Sequence, residues 1–215
     1  MVVRAALFDL DGTLTNTLED IANAMNRALR LHGLPEFPVN EYRYLVGDGV
    51  KKLAERACRG RKELEDAVRR DYQAYYQEHA QEQTKPYDGV RDMLETLQKQ
   101  GIKLAVFSNK PHADTCAVVK HYFPEIEFDA VRGQMEGTPV KPDPAGALAI
   151  AEEVGVEPEA FLYLGDTATD MQCAVNAGMR PVGALWGFRT AEELLESGAQ
   201  ALIEHPSQLL AQLGL

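Results

Sequence analysis

Ala5-Ala6-Leu7-Phe8-Asp9-Leu10-Asp11-Gly12-Thr13 is the stretch on which the fold turns. Apolar residues run into a carboxylate, the pattern of a short buried strand with a charged group at its exit. Gly12 and Thr13 break the run, and a glycine permits a sharp turn where the chain leaves the strand. Asp9 and Asp11 stand two residues apart on extended backbone, so their carboxylates point to the same side. One member of such a pair can attack an electrophile while the other acts as acid and then base. Asp9, deeper in the strand, is the better-fixed nucleophile. Asp11, at the exit, can reach a leaving-group oxygen.

Downstream of this stretch a helix is expected. Thr17 is a natural N-cap with Asp20 three residues on. Leu18, Ile21, Met25 and Leu29 form one apolar face, and Gly33 stops the helix. Residues 38–82 read as helical and charged, with one helix on Val50, Leu53, Ala54 and Ala57 and another on Leu64, Val68, Tyr72 and Tyr75. Beyond Pro86 the texture changes to alternation. A helix is expected over residues 90–101, and strands over 102–107, 126–131, 161–164, 181–185 and 201–203. Another helix spans about 147–154 with Gly155 as its stop, and Thr190 with Glu193 forms a capping box before the last strand.

Strand–helix alternation implies a parallel sheet covered on both faces. The expected class is therefore α/β, a Rossmann-like doubly wound parallel sheet built from residues 1–16 and 85–215. The all-helical block, residues 17–84, cannot join that sheet and is expected to form an inserted cap. Its two crossings, 13–17 and 84–88, are the expected hinges.

Three further motifs stand at expected strand ends, where open parallel sheets bind ligands. Ser108-Asn109 offers a hydroxyl and an amide, which can donate to phosphate oxygens without adding charge. In Lys141-Pro142-Asp143-Pro144 the prolines stiffen the approach to a helix, and a fixed lysine can neutralise a transferring phosphoryl group and hold the carboxylate of the nucleophile. Gly165-Asp166-Thr167-Ala168-Thr169-Asp170 supplies hard oxygen ligands suited to Mg²⁺. Asp166 is the expected direct ligand, and Asp170, one helical turn on, is placed to orient Lys141 or a metal-bound water. Each motif alone has an ordinary surface explanation. Their joint occurrence, in order and each at a strand end, does not.

Composition narrows the class. The chain has 215 residues and a net charge of -11, which disfavours nucleic acid or an anionic membrane as partner. An acidic enzyme with phosphorylated substrates needs a local cation, either metal or placed lysine. The three cysteines are far apart and form no C-x-x-C pair, so free thiols in a reducing cytoplasm are expected rather than disulfides or zinc. The five histidines show no metal-ligand spacing. The first apolar run is broken by Arg4 and Asp9 and does not read as a signal peptide.

The set Asp9-Leu10-Asp11-Gly12-Thr13, Ser108-Asn109, Lys141-Pro142 and Gly165-Asp166 through Asp170 resembles the signature motifs of the haloacid dehalogenase superfamily. The helical insert after the first motif matches its subfamilies with a helical cap. Residues 20–33, Leu45-Val46-Gly47-Asp48-Gly49-Val50, Ser108-Asn109-Lys110-Pro111 and Trp186-Gly187-Phe188 are most similar to the phosphoglycolate phosphatases. The resemblance implies an aspartyl-phosphate on Asp9, acid–base work by Asp11, and Mg²⁺ held by the Asp9 side chain, the Asp11 backbone carbonyl and Asp166. It also implies that Ser108, Asn109 and Lys141 bind the phosphoryl group, with Thr13 and Asp170 in support. Two positions depart from the pattern. Asn16 stands where family members commonly carry an acid, and Asp48 where phosphoglycolate phosphatases commonly carry Asn.

The implied substrate is a small phosphorylated metabolite, 2-phosphoglycolate first, acted on by a monomer or homodimer. Gly47-Asp48-Gly49 agrees with that, because it opens a cap helix whose free N–H groups favour an anion. Lys51 and Lys52 would add positive potential. Asp48 works against it, since it would repel a carboxylate and suit a sugar phosphate. A β-phosphoglucomutase-like phosphomutase, or a phosphatase of another small ester or of pyrophosphate, shares every core motif and would differ only in the cap. A dehalogenase has no need of an acid at position 11. A phospho-receiver module has no need of Asp11, a helical lid or this length.

Overall fold

The computed structural model of the chain describes residues 2–213. Along it, β1 (Ala5–Phe8) and the short β2 (Thr15–Asn16) lead into α1 (Leu18–Leu31), α2 (Tyr42–Leu45), α3 (Gly49–Ala57) and α4 (Glu65–His79). The chain returns through β3 (Lys85–Pro86) to α5 (Val90–Lys99), β4 (Lys103–Pro111), α6 (His112–Tyr122), β5 (Ala130–Gln134) and α7 (Ala145–Val154). It closes with β6 (Phe161–Gly165), α8 (Ala168–Asn176), β7 (Arg180–Ala184), α9 (Ala191–Glu196), β8 (Ala201–Ile203) and α10 (Gln208–Leu213).

The sheet has six strands in the order β5-β4-β1-β6-β7-β8, all parallel. That is the doubly wound Rossmann order, in which the chain starts at the centre and winds outward both ways. β1 shows why its sequence suits the centre. All its residues are buried, and the pleat sends alternate side chains to opposite faces. Ala6 and Phe8 pack with Met93 and Leu97 of α5 and Val118 of α6. Ala5 and Leu7 pack with Ile150 of α7 and Ala174 of α8. Burying a side chain the size of Phe8 or Leu7 contributes roughly 1.5–3 kcal/mol, so β1 anchors both layers at once.

Helices α1, α3 and α4 gather round a separate apolar core that includes Ile21, Met25, Leu29, Leu53, Val68, Tyr72 and Tyr76. Among the described residues, Phe188, from the loop after β7, is the one residue of the sheet domain buried in it. Where the chain passes between the two cores, β2 and β3 pair antiparallel, Thr15 opposite Pro86 and Asn16 opposite Lys85.

Local readings fail in three places. The strand expected over 126–131 lies instead at Ala130–Gln134. Ile126 and Phe128 are apolar because they pack on the core from a turn, in which Ile126 N–H bonds Phe123 O. The strand expected to end at 107 continues to Pro111, with a shift in its pairing to β5 between Phe107 and Pro111, so Ser108 and Asn109 lie on extended backbone. Thr17 stands at the N-cap of α1 but makes no side-chain cap bond, and its hydroxyl is buried without a partner among the described residues. Asp20 does not close a capping box. It accepts instead from Gln83 N–H (2.9 Å), Thr84 N–H (2.8 Å) and the Thr84 hydroxyl (2.7 Å), so it clasps the two chain crossings together.

Candidate active site

The carboxyl ends of β1, β4 and β6 converge where the strand order reverses, and the four motifs meet there. Asp9 follows β1 directly, with its N–H bonded to Leu164 O of β6 at 3.0 Å. Its side chain is buried, and one oxygen accepts from Lys141 Nζ at 2.7 Å. The same ammonium donates to Asp170 at 2.7 Å and to Phe107 O at 3.0 Å. Lys141 thus spends its three protons on two carboxylates and a carbonyl. Asp170 is fixed in turn by a capping box at the start of α8, where its second oxygen accepts from Thr167 N–H (3.0 Å) and the Thr167 hydroxyl (2.6 Å).

Asp166 is wholly buried. The Thr13 hydroxyl donates to one of its oxygens at 2.9 Å, and Phe188 N–H donates to the other at 2.8 Å. The backbone beside it is glycine for a spatial reason. Gly12 has φ 95°, and a Cβ there would lie 2.3 Å from Asp166 Oδ2. A Cβ on Gly187 would lie 2.3 Å from Asp166 Cβ. Asp9, Asp166 and Asp170 each present an oxygen within 4.8 Å of the others.

Crowding of buried acids shows in their protonation. Burial, then the charge of Asp170, holds the Asp9 carboxyl well above the usual carboxylate range, against the pull of Lys141. Burial and Asp170 likewise push Asp166 up to about 7. Burial pulls the Lys141 ammonium down, but Asp170 and Asp9 outweigh it, so its pKa lies above that of a free lysine.

Ser108 and Asn109 both line the cleft. The Ser108 hydroxyl accepts from Lys110 N–H at 3.2 Å, and its own proton enters no bond among the described residues. The Asn109 amide is committed to protein. It donates to Lys141 O (3.2 Å) and to Gly47 O of the cap (3.0 Å), and it accepts from Lys141 N–H (2.9 Å). Asn109 therefore fixes the lysine loop and touches the cap, rather than aiming its side chain at a phosphate.

The cleft between sheet and cap is small, about 50 Å³. Asp9, Asp11, Ser108 and Asn109 form its floor, while Ile21, Val46, Gly47, Gly49, Val50, Leu53 and Tyr72 form its roof. Asp48 does not line it. Its carboxylate is turned to Arg56, 2.5 Å away, and makes no cap bond to α3. Lys51 and Lys52 are exposed, and Lys52 pairs with Glu55 at 2.8 Å.

Sequence reading missed the residues that tie the two cores. Lys110 Nζ donates to both oxygens of Asp11 and to the Tyr76 hydroxyl. Arg43 of α2 donates to Gly187 O (3.1 Å) and Phe188 O (2.8 Å), and Arg189 donates to Arg43 O and to Val46 O. Within the sheet domain, Trp186 Nε1 donates to Thr13 O at 2.9 Å and so joins the loop after β7 to the loop after β1. The available signals were Lys110 directly after Ser108-Asn109, and the aromatic–glycine run Trp186-Gly187-Phe188 after a strand.

The profile of haloacid dehalogenase-like hydrolases matches residues 6–184. A phosphoglycolate phosphatase of Aquifex aeolicus is 37% identical over 191 residues, covering 86% of each chain. One from Pseudomonas putida is 32% identical over 213 residues, covering 96% of this chain and 78% of its own. A solved structure from Lactobacillus delbrueckii subsp. bulgaricus superposes with a TM-score of 0.94 at 29% identity over 99% of both chains. The chain belongs to the haloacid dehalogenase-like hydrolase family. It is an enzyme, a phosphatase of that family. No helix among the described residues is long and apolar enough to cross a membrane.

Proposed function

We propose that the protein is a Mg²⁺-dependent phosphatase of small phosphomonoesters, with 2-phosphoglycolate the leading substrate and Asp9 the nucleophile. The carrying observation is the Lys141–Asp9 pair, with Asp9 on the floor of the small cleft between sheet and cap and Asp11 beside it. One oxygen of Asp9 is held by the lysine, and the other makes no bond within the protein among the described residues.

The residues present fit Mg²⁺. Asp9 and Asp166 offer hard, buried carboxylate oxygens, and the glycines at 12 and 187 leave Asp166 room that any Cβ would fill. Asp170, the third acid of the cluster, has its oxygens engaged by Lys141 and Thr167 and so supports rather than ligates. Asp9, the Asp11 carbonyl and Asp166 would hold the ion, which supplies neutralising charge between these acids and the phosphoryl oxygens.

An Asp9 oxygen attacks phosphorus, the bond from phosphorus to the leaving oxygen breaks, and Asp11 gives that oxygen its proton. Water then attacks the aspartyl-phosphate and gives its proton to Asp11. The bond between phosphorus and Asp9 breaks, and inorganic phosphate leaves. The Ser108 hydroxyl binds the phosphoryl group, the Lys141 ammonium beside Asp9 offsets its charge, and Asn109 holds Lys141 in register. The cap over residues 17–84 closes on the β2–β3 crossing and excludes bulk water until the leaving group has gone.

With Asp48 neutralised by Arg56 away from the cleft, the charge that would disfavour a carboxylate substrate is removed. The test is kcat/KM for 2-phosphoglycolate against β-glucose 1-phosphate and pyrophosphate. A sugar phosphate preferred by about tenfold, or conversion of a sugar phosphate to its isomer, overturns the choice of substrate.

A further inference from the structure

Lys110 is a buried lysine that forms an ion pair with Asp11, while Asp114 of α6 stands near enough to share its field without touching it. Its side chain is 4% exposed, and Nζ lies 3.1 Å from each oxygen of Asp11. Its other bond goes to the Tyr76 hydroxyl at 2.8 Å, and the ammonium also stands 4.6 Å from the centre of that ring. Lys110 lies at the end of β4, in the sheet domain. Tyr76 lies on α4, in the cap, where it stacks on Tyr72 with ring centres 5.4 Å apart. One ammonium therefore joins the acid–base residue to the lid.

We propose that Lys110 is the positioning residue for Asp11, and that Tyr76 makes this positioning depend on the cap being shut. The proposal rests on the phosphatase reading above, in which Asp11 takes a proton from the attacking water. A carboxylate on a turn can rotate about χ1 and χ2. Contact from one ammonium to both oxygens fixes the plane of the group, and with it the oxygen that faces the cleft. The hold is strong only in a dry setting, because the same contact in water is worth little. Tyr76 supplies the dryness, covering the ammonium with its ring and accepting one of its protons. When α4 lifts away, Lys110 is wetted and its grip on Asp11 weakens. Asp11 is then set to activate water only beneath a closed cap.

The hydrolytic half-reaction isolates this role. In it a bond forms from water oxygen to phosphorus, the bond from phosphorus to Asp9 breaks, and the water proton passes to Asp11. With p-nitrophenyl phosphate the departing phenolate needs no proton, so formation of the aspartyl-phosphate is spared and its hydrolysis is not.

The experiment is rapid-mixing kinetics of the Mg²⁺-loaded enzyme with p-nitrophenyl phosphate, for wild type, Lys110→Met, Lys110→Arg, Tyr76→Phe and Asp11→Asn, each checked for folding by thermal melt. Lys110→Met is expected to show a burst of p-nitrophenolate equal to the enzyme concentration, then steady turnover about tenfold or more below wild type. Tyr76→Phe, which keeps the ring and loses only the hydroxyl, is expected to show the same pattern more weakly, and Lys110→Arg to recover part of the loss. In an Asp11→Asn background, Lys110→Met should change turnover by less than about twofold, because both act through one group.

Slow turnover of Lys110→Met without a burst would overturn the proposal, as would losses that multiply with Asp11→Asn. If Lys110→Met fails to fold, wild-type turnover in Tyr76→Phe overturns the cap link. If Asp11→Asn itself hydrolyses the phosphoenzyme at the wild-type rate, the phosphatase reading of Asp11 falls, and the role of Lys110 with it. A defect in Asp11→Asn combined with wild-type behaviour in Lys110→Met overturns the present proposal alone.

Discussion

Lys141 Nζ and an oxygen of Asp9 lie 2.7 Å apart, in a pair of which neither side chain is more than 8% exposed. A buried pair of this kind stabilises little as a whole, but removing one member strands the other. Lys141→Met is expected to abolish turnover and to cost about 3–5 kcal/mol, because Asp9 and Asp170 are left facing each other without a cation. Asp9→Asn is expected to fold normally and to form no phosphoenzyme. Its turnover, followed as phosphate release, should fall below a few per cent of wild type. Higher turnover in Asp9→Asn would remove the nucleophile from its role.

On the proposed assignment, metal and proton compete at Asp166. In the metal-free protein its carboxyl is pushed up to about 7, above its ordinary range, so the native state binds a proton that the unfolded chain has already lost. That contribution to stability is present at low pH and is lost as pH rises toward 7. Mg²⁺ needs the ionised carboxylate, so its stabilisation must run the other way and grow through the same window. Thermal melts with Mg²⁺ and with chelator, at about pH 6 and about pH 8, are expected to show the larger metal-induced rise at the higher pH. A larger rise at the lower pH would show that Asp166 does not face the ion. Asp166→Ala should erase the dependence, and chelation should abolish activity until Mg²⁺ is restored.

The clasp at Asp20 makes a separate prediction. Its carboxylate takes the N–H groups of Gln83 and Thr84 and the Thr84 hydroxyl, at the point where the chain crosses back to the sheet. Asp20→Ala leaves these donors without their partner and is expected to cost about 2–4 kcal/mol, or roughly 5–15 °C in Tm. The loss should appear first in hydrogen exchange at residues 83 and 84. A Tm within about 2 °C of wild type would mean that the clasp is replaced by water.

Asp20 also marks where local reading stops. Asp9, Ser108 and Asp166 each follow a short apolar run, so their meeting at one sheet end is legible from periodicity and the rule that parallel sheets bind at their carboxyl ends. The parallel class follows from alternation in the same way. Thr17 and Asp20 fit a capping rule that uses four residues, but Asp20 finds partners 63 and 64 residues away, and these win. Lys110 enters the sequence only as part of the stretch Ser108-Asn109-Lys110-Pro111, with no role of its own, because its partners lie 99 and 34 residues off. Phe188 enters only with the stretch Trp186-Gly187-Phe188, and nothing local shows that it is buried in the cap core while its N–H holds Asp166. Long-range polar partners leave no period in a sequence.

Leaving-group size is the remaining question, and the roof of the cleft sets it. Ile21, Val46, Val50 and Leu53 line the roof of the cleft, an apolar surface that offers no partner to the hydroxyls of a sugar ring. Among its walls Tyr72 is a polar group from the cap and Lys110 one from the end of β4, while Asp48 is held by Arg56 outside it. Asp48→Asn is therefore expected to change kcat/KM by less than about twofold for 2-phosphoglycolate and for β-glucose 1-phosphate alike. Leu53→Ala should act unequally. It removes a wall and leaves room for a larger group, so the ratio of kcat/KM for the sugar phosphate to that for phosphoglycolate should rise by about tenfold, the usual range for a few methylenes in an apolar pocket. The same change costs about 2–5 kcal/mol of cap packing, so the ratio is the quantity to follow, not either rate alone. A ratio unchanged in Leu53→Ala but moved by Asp48→Asn would mean that the cap loop reads the leaving group by charge, and that the apolar roof does not.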